Sequence, residues 1–324
     1  MRISLDPWGG DYGSQISAPQ AVDAEQSSAQ VTGQQVEAGP WQPRTPTPEQ
    51  IPNMTAVIDG VMRVDAPAVL SDEETRFLAL FGSYAAGAVV IDRRVEIIEE
   101  QLDRLFIVGG GQSGQDVVVT AGTGGKIPMR YRSVSASDLT PDSLRESLMT
   151  AMRQAEVDLA RKLSGNERLI LADGNLTFLS DSSSVVGVIK TIQRMYLAPK
   201  EAKILEQLQP GERTPLFQFS GSSRRKSFEV FTCYLRLANP RPIEHPFTGL
   251  VRLEVKLGLG IQQAVILLDQ AAQAVSALAS RAPKDPRAPQ NLIPIGGLER
   301  RLRHRLGDPK LVRRCIEKAL LNQV

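Results

Sequence analysis

Two apolar runs in this chain stop in the same way. "TAVIDGVM" at 55–62 and "LILADGNL" at 169–176 each set aliphatic residues ahead of an Asp-Gly pair, placing Asp59 and Asp173 where a strand should end. Asp-Gly is also one of the strongest hairpin signals, because both residues tolerate the positive φ of a tight turn. A turn role and a ligand role are therefore both open for each aspartate.

Between the two runs lies the clearest helix, "TPDSLRESLMTAMRQAEVDLARKL" at 140–163. Thr140 can cap it and Pro141 suits its first turn, while Leu144, Leu148, Ala151, Met152, Ala155, Leu159 and Leu163 recur at helical spacing. Glu156 falls beside that apolar stripe, whereas Glu146 points to solvent. The chain then runs directly into the strand of Asp173, 17 residues after Glu156. If the two Asp-Gly strands are neighbours, Asp59, Glu156 and Asp173 converge. Three clustered carboxylates repel one another unless cations hold them, and all-oxygen ligands suit Mg²⁺ or Mn²⁺. Two such ions about 4 Å apart would activate a water and stabilise a leaving oxygen.

The remaining pattern is one of strands and a few helices. "MTAVIDGVMRVDAPAVL" and "RFLALFGSYAAGAVVI" read as long antiparallel strands, and "RRVEIIEEQLDRLFI" as a helix or a further strand. The glycine-rich "VGGGQSGQDVVVTAGTGGKIP" lacks the Gly-Lys-Ser/Thr ending of a nucleotide loop and reads as a mobile hairpin. After "LILADG" come a hairpin partner "NLTFLS", the apolar "VVGVIK", and three strands in "TPLFQFS", "SFEVFTCYLRLAN" and "GLVRLEVKLG". The apolar helix "IQQAVILLDQAAQAVSALASRA" and a basic helical C-terminus close the chain.

Residues 11–50 hold almost no large aliphatic side chains and read as a flexible tail that precedes one domain over 51–324. Within the segment "ISLDPWGGDYG", Leu5, Asp6 and Trp8 stand out as a docking peptide, with a frayed terminus as the plain alternative. Composition excludes several classes. Cys233 and Cys315 make neither a disulfide framework nor, with only His245 and His304, a zinc site. No run reaches the roughly 18 apolar residues of a membrane span, so a cytoplasmic location is expected. The net charge of +2 is mild. Positive charge is concentrated late, where Arg224, Arg225 and Lys226 in "SSRRKS", and Arg300, Arg301 and Arg303 in the C-terminal helix, can contact DNA phosphates or simply form solvated faces.

Taken together, "AVIDGVMRVDA", the helix of Glu156, "LILADGNL", "VVGVIK" and "YLRLANPRP…GLVRLEV" resemble the NurA nucleases over about residues 50–320. The resemblance implies an α+β fold with a ribonuclease H-like core, its mixed and largely antiparallel sheet flanked by helices and carrying long strand hairpins. It implies a homodimer that partners a HerA-type hexameric ATPase in double-strand-break end resection, near the nucleoid. The activity implied is Mn²⁺- or Mg²⁺-dependent, 5′ to 3′ exonucleolytic on DNA and endonucleolytic on single strands. Asp59, Glu156 and Asp173 match the family's metal ligands, and Lys190 matches a basic position that can hold the scissile phosphate, or is simply a lysine at a strand end. The family also places a histidine in a late helix after a proline; here His304, a few positions further on, or Glu299 is the candidate, and an arginine-rich surface helix explains His304 equally. A non-catalytic adaptor of the same fold, binding DNA or the translocase, is the alternative reading, and the residues themselves do not choose between DNA and RNA.

Overall fold

The computed structural model describes residues 30–33, 35–47, 54–72, 75–112, 114–122, 127–164, 168–177, 179–180, 184–192, 195–222, 227–281, 285 and 287–321. The fold is α+β, built on a large mixed sheet with flanking helices. It divides into two compact units, one comprising residues to Ile58, Val89–Glu96 and Ala160–Gly296, the other Asp59–Ala88, Ile97–Leu159 and Gly297–Val324.

In the first unit the strands are β1 (Gln30–Gly33), the opening of β2 (Met54–Asp72), β7 (Arg168–Asp173), β8 (Val185–Ile189), β9 (Phe217–Ser222), β10 (Ser227–Arg236) and β11 (Leu250–Lys256). Their order is β1-β9-β10-β11-β8-β7-β2. The run from β1 to β8 is antiparallel, whereas β8, β7 and β2 are parallel. A parallel trio joined to antiparallel strands is compatible with a ribonuclease H-like core. β11 is buried at every residue, as a central strand covered on both faces must be. After β8 come the short helices α2 (Pro199–Ala202) and α3 (Ile204–Gln207), and the apolar helix α4 (Ile261–Leu278) packs on β7, β8, β10 and β11.

Part of the segment expected to be a flexible tail belongs to this unit. β1 pairs with β9, Trp41 packs on Phe217 and donates to the Glu201 carbonyl, and Glu37 pairs with Arg213. Few aliphatic residues are needed there, because a buried arginine supplies the reason to order the chain: its charge requires a carboxylate.

The second unit holds the rest of β2, most of β3 (Thr75–Ile91) and β4 (Val95–Val108), then β5 (Val117–Ala121) and β6 (Ile127–Ser135), in the order β2-β3-β4-β6-β5. Residues 93–107, open between helix and strand by sequence, are thus mostly strand. The glycine-rich segment is the expected hairpin, β5 pairing antiparallel with β6. Helix α1 (Pro141–Leu163) begins as its sequence indicated, with the Ser143 amide donating to Thr140 Oγ1 at 3.2 Å. Its Leu148 fills the space over Gly82 of β3, and Leu298 and Leu302 of α5 (Ile293–Leu306) lie over Gly87. Helix α6 (Pro309–Leu321) places Val312 and Ile316 against Phe81, Phe106 and Tyr131.

Neither Asp-Gly pair turns a hairpin. β2 runs straight through Asp59 and Gly60 to Asp72, and β7 pairs with β8 in parallel, so "NLTFLS" is part of a crossover and not a returning strand. Parallel neighbours need a connection that carries the chain back to the starting edge, which a two-residue turn cannot do.

Candidate active site

β2 and β7 pair in register as far as Ile58 and Ala172. The next residue along each chain is Asp59 and Asp173. In the first unit, Gly174 has φ +108°, a conformation that favours glycine, so the chain leaves β7 sharply just after Asp173. The Gly174 amide donates to the Val188 carbonyl at 3.0 Å, and the Leu176 amide to buried Glu254 Oε1 at 2.8 Å, tying the crossover down. Gly187 of β8 lies against this turn: a Cβ there would stand 2.7 Å from the Gly174 carbonyl oxygen. Gly187→Ala should therefore displace Asp173 and cost roughly 1–3 kcal/mol of stability by overpacking, seen as a lowered melting temperature together with lost activity.

Asp173 accepts a hydrogen bond from Lys190 Nζ at 2.5 Å, an ion pair with the lysine side chain 9% exposed and the aspartate 21%. The same Nζ donates to Asn291 Oδ1 at 2.9 Å, and Asn291 Nδ2 donates to Asp285 Oδ2 at 2.5 Å. Lys190 thus stands between a carboxylate and a fully buried amide. Asn291 and Asp285 were not visible as site residues in the sequence, where "APKDPRAPQNLIP" carries no motif.

In the second unit, Asp59 is buried at 7% exposure. A Cβ on Gly60 would meet Glu156 Oε1 at 2.5 Å and Met152 Cγ at 2.9 Å, so a side chain there would push both residues of α1 aside. Glu156 is half-buried beside Ala155 and Leu159, as its helical position indicated. Among the described residues, no group of three or more His, Cys, Asp or Glu is gathered for a metal ion. In kind, the oxygen donors of Asp59, Glu156 and Asp173 fit a hard divalent cation.

Asp65 is bound by Arg63 at 2.7 Å, Tyr131 at 2.9 Å and Ser83, and Arg104 lies 3.8 Å from it. Arg63 and Arg104 in turn donate to the Leu306 carbonyl, and Arg63 to that of Gly307, closing the C-terminus of α5. Tyr84 approaches Asp103 at 3.5 Å, and burial, with that carboxylate's charge, pushes its phenol up to about 12. His304 is exposed on α5. Arg301 and Arg305 pair with Glu100 at 2.7 and 3.2 Å, and Arg303 with Glu299 at 3.2 Å, while Arg300 is exposed. Arg224, Arg225 and Lys226, like Leu5, Asp6 and Trp8, lie outside the described residues. Among the described residues no helix is long and apolar enough to cross a membrane.

The family model described as the NurA domain matches residues 71–295. The chain belongs to the NurA family. The match covers Glu156, Asp173 and Lys190 and stops short of Asp59 and His304, a narrower span than the 50–320 of the sequence resemblance. It supports a nuclease role at the level of the NurA family. No curated protein matches the chain.

Proposed function

We propose that this NurA protein is a Mn²⁺- or Mg²⁺-dependent deoxyribonuclease, a 5′ to 3′ exonuclease and single-strand endonuclease that works as a homodimer with a HerA-type hexameric ATPase at double-strand-break ends. The observation that carries the reading is the parallel register of β2 and β7, after which each strand continues into an aspartate, with Lys190 seated on the second. Asp59, Glu156 and Asp173 are the oxygen ligands. The bound cation supplies Lewis-acid activation of water and charge stabilisation at the phosphodiester.

The chain's own residues do the rest. Lys190 holds a positive charge at the end of β7, where a scissile phosphate can be oriented and its developing negative charge stabilised. The turn at Gly174 and the Leu176–Glu254 bond keep Asp173 fixed. Arg224, Arg225, Lys226, Arg300, Arg301 and Arg303 attract the DNA backbone, and Leu5, Asp6 and Trp8 dock the motor. A mildly charged nuclease suits this division, since the translocase grips most of the DNA.

The test is cleavage of end-labelled linear and single-stranded DNA with Mn²⁺, Mg²⁺ or EDTA, for the wild type and Asp59→Ala, with and without the ATPase. Cleavage that requires the metal and disappears in the folded variant supports the proposal. No cleavage under any condition, ATPase included, supports the adaptor reading instead.

A further inference from the structure

The chain Asp285, Asn291, Lys190, Asp173 has a direction that chemistry assigns without ambiguity. An ammonium can only donate and an ionised carboxylate can only accept, so the Asn291 amide must turn its oxygen to Lys190 and its NH₂ to Asp285. The asparagine cannot flip without setting donor against donor at one end and acceptor against acceptor at the other. Its backbone is fixed as well: the Ser280 amide donates to the Asn291 carbonyl at 2.8 Å, and the Asn291 amide to the Arg287 carbonyl at 3.2 Å. Both Asn291 and its preceding neighbour Gln290 are completely buried.

Lys190 therefore has two holds of different kinds. The bond to Asp173 is an ion pair with a residue that the proposed function assigns to a metal. The bond to Asn291 is to an uncharged amide whose backbone is held by two hydrogen bonds, and it does not depend on what Asp173 binds. We infer that Asn291 is a positioning residue which, oriented by Asp285, keeps the Lys190 ammonium in place when the Asp173 carboxylate is engaged elsewhere, so that the lysine serves the substrate phosphate. A four-carbon side chain with a single ion-pair partner would otherwise be free to follow solvent once that partner changed hands. This inference rests on the nuclease reading given above.

The experiment uses the full chain. Asn291→Leu keeps the volume near that of asparagine and removes the acceptor; kcat on single-stranded DNA with Mn²⁺ should fall tenfold to a hundredfold with KM nearly unchanged, the range expected when a group that orients a functional side chain is lost. In a Lys190→Met background the same substitution should change kcat less than twofold, because the lysine it positions is gone. Asn291→Asp alone sets two carboxylates together and should also impair kcat. Adding Asp285→Asn to Asn291→Asp reverses the donor and acceptor at that end and should restore kcat to within about threefold of the wild type.

A readout without turnover accompanies these. With EDTA present, side-chain ¹⁵N NMR of Asp173→Ala, in which the ion pair is gone and the Asn291 bond remains, should show a slowly exchanging Lys190 Nζ signal, assigned by its loss on adding Lys190→Met, which adding Asn291→Leu removes. Equal losses from Asn291→Leu with and without Lys190, or a Lys190 signal that survives it, would overturn the inference. A wild type that cleaves no DNA with any metal overturns the nuclease reading, whereas the NMR signal still decides whether Asn291 holds the lysine.

Discussion

Asp173→Asn should reduce metal-dependent DNA cleavage at least about a thousandfold, equivalent to roughly 4 kcal/mol of lost transition-state stabilisation. The substitution preserves shape and leaves an amide oxygen that can still accept from Lys190 Nζ, and Lys190 keeps its bond to Asn291. What it removes is the negative charge, which a divalent ligand site needs and packing does not. Folding should therefore be little affected: a change of about 1 kcal/mol would move the melting temperature of a chain this size by only a few degrees. The measurement is cleavage of end-labelled DNA across a Mn²⁺ titration, beside a thermal melt of the same preparation. Near-wild-type cleavage by the folded variant would remove Asp173 from the site.

The largest effect on stability should come from Arg213→Leu. This guanidinium, 2% exposed, donates from Nε to Asp269 Oδ1 at 2.6 Å and in bidentate fashion to Glu37 at 2.7 and 3.0 Å, with a further bond to the Thr214 carbonyl. Leucine would leave two largely buried carboxylates facing one another without a cation. Breaking a buried pair from one side costs about 3–5 kcal/mol, a large part of a marginal folding free energy, and the melting temperature should fall by roughly 10 °C.

The loss should depend on pH, with a definite sign. Burial alone would raise the Glu37 carboxyl, but the hydrogen bond and charge of Arg213, with the Leu216 amide, outweigh it and hold the group below its ordinary 4.5. Its folded pKa thus lies below the unfolded value, so the pair stabilises the protein above that value, and the contribution fades as pH falls through the folded pKa. In Arg213→Leu burial is opposed only by the Leu216 amide and the Arg44 charge, so the protonated acid is favoured more than in the wild type. The gap between variant and wild type should accordingly narrow from pH 7 to pH 4, as read by urea or thermal melts at the two values. A gap that stayed constant would mean that packing, and not charge, accounts for the loss.

Several elements were legible in the sequence because their causes are local. Thr140, Pro141 and the three- and four-residue spacing from Leu144 to Leu163 specify α1 by capping and periodicity. The β-branched and aromatic runs specify β9, β10 and β11, and the glycine-rich segment forms the β5–β6 hairpin. Glu156 at the border of an apolar stripe lies where helical geometry puts it. The misreadings arose where local chemistry permits more than one outcome. Asp-Gly suits a two-residue turn, yet β2 continues through one copy and the other opens a parallel crossover, since strand partners are chosen by the whole sheet. The polar segment around Glu37 lacks aliphatic residues, yet it is ordered by an arginine nearly two hundred positions away.

The sequence by itself determined the residue types that could do chemistry: aspartates after two apolar strand runs, a glutamate on a half-buried helix face, and a lysine after a third strand. Tertiary structure alone decided that Glu156 comes against β2 beside Gly60, that Lys190 is bound by Asp173 and by an Asn291 that Asp285 orients, and that Asp65 is held by two arginines. The physical reason is one of range. Propensity, capping and periodicity act over a few residues and can be read along the chain, whereas the partner of a buried charge is set by which distant strands and loops the packed core brings within hydrogen-bond distance.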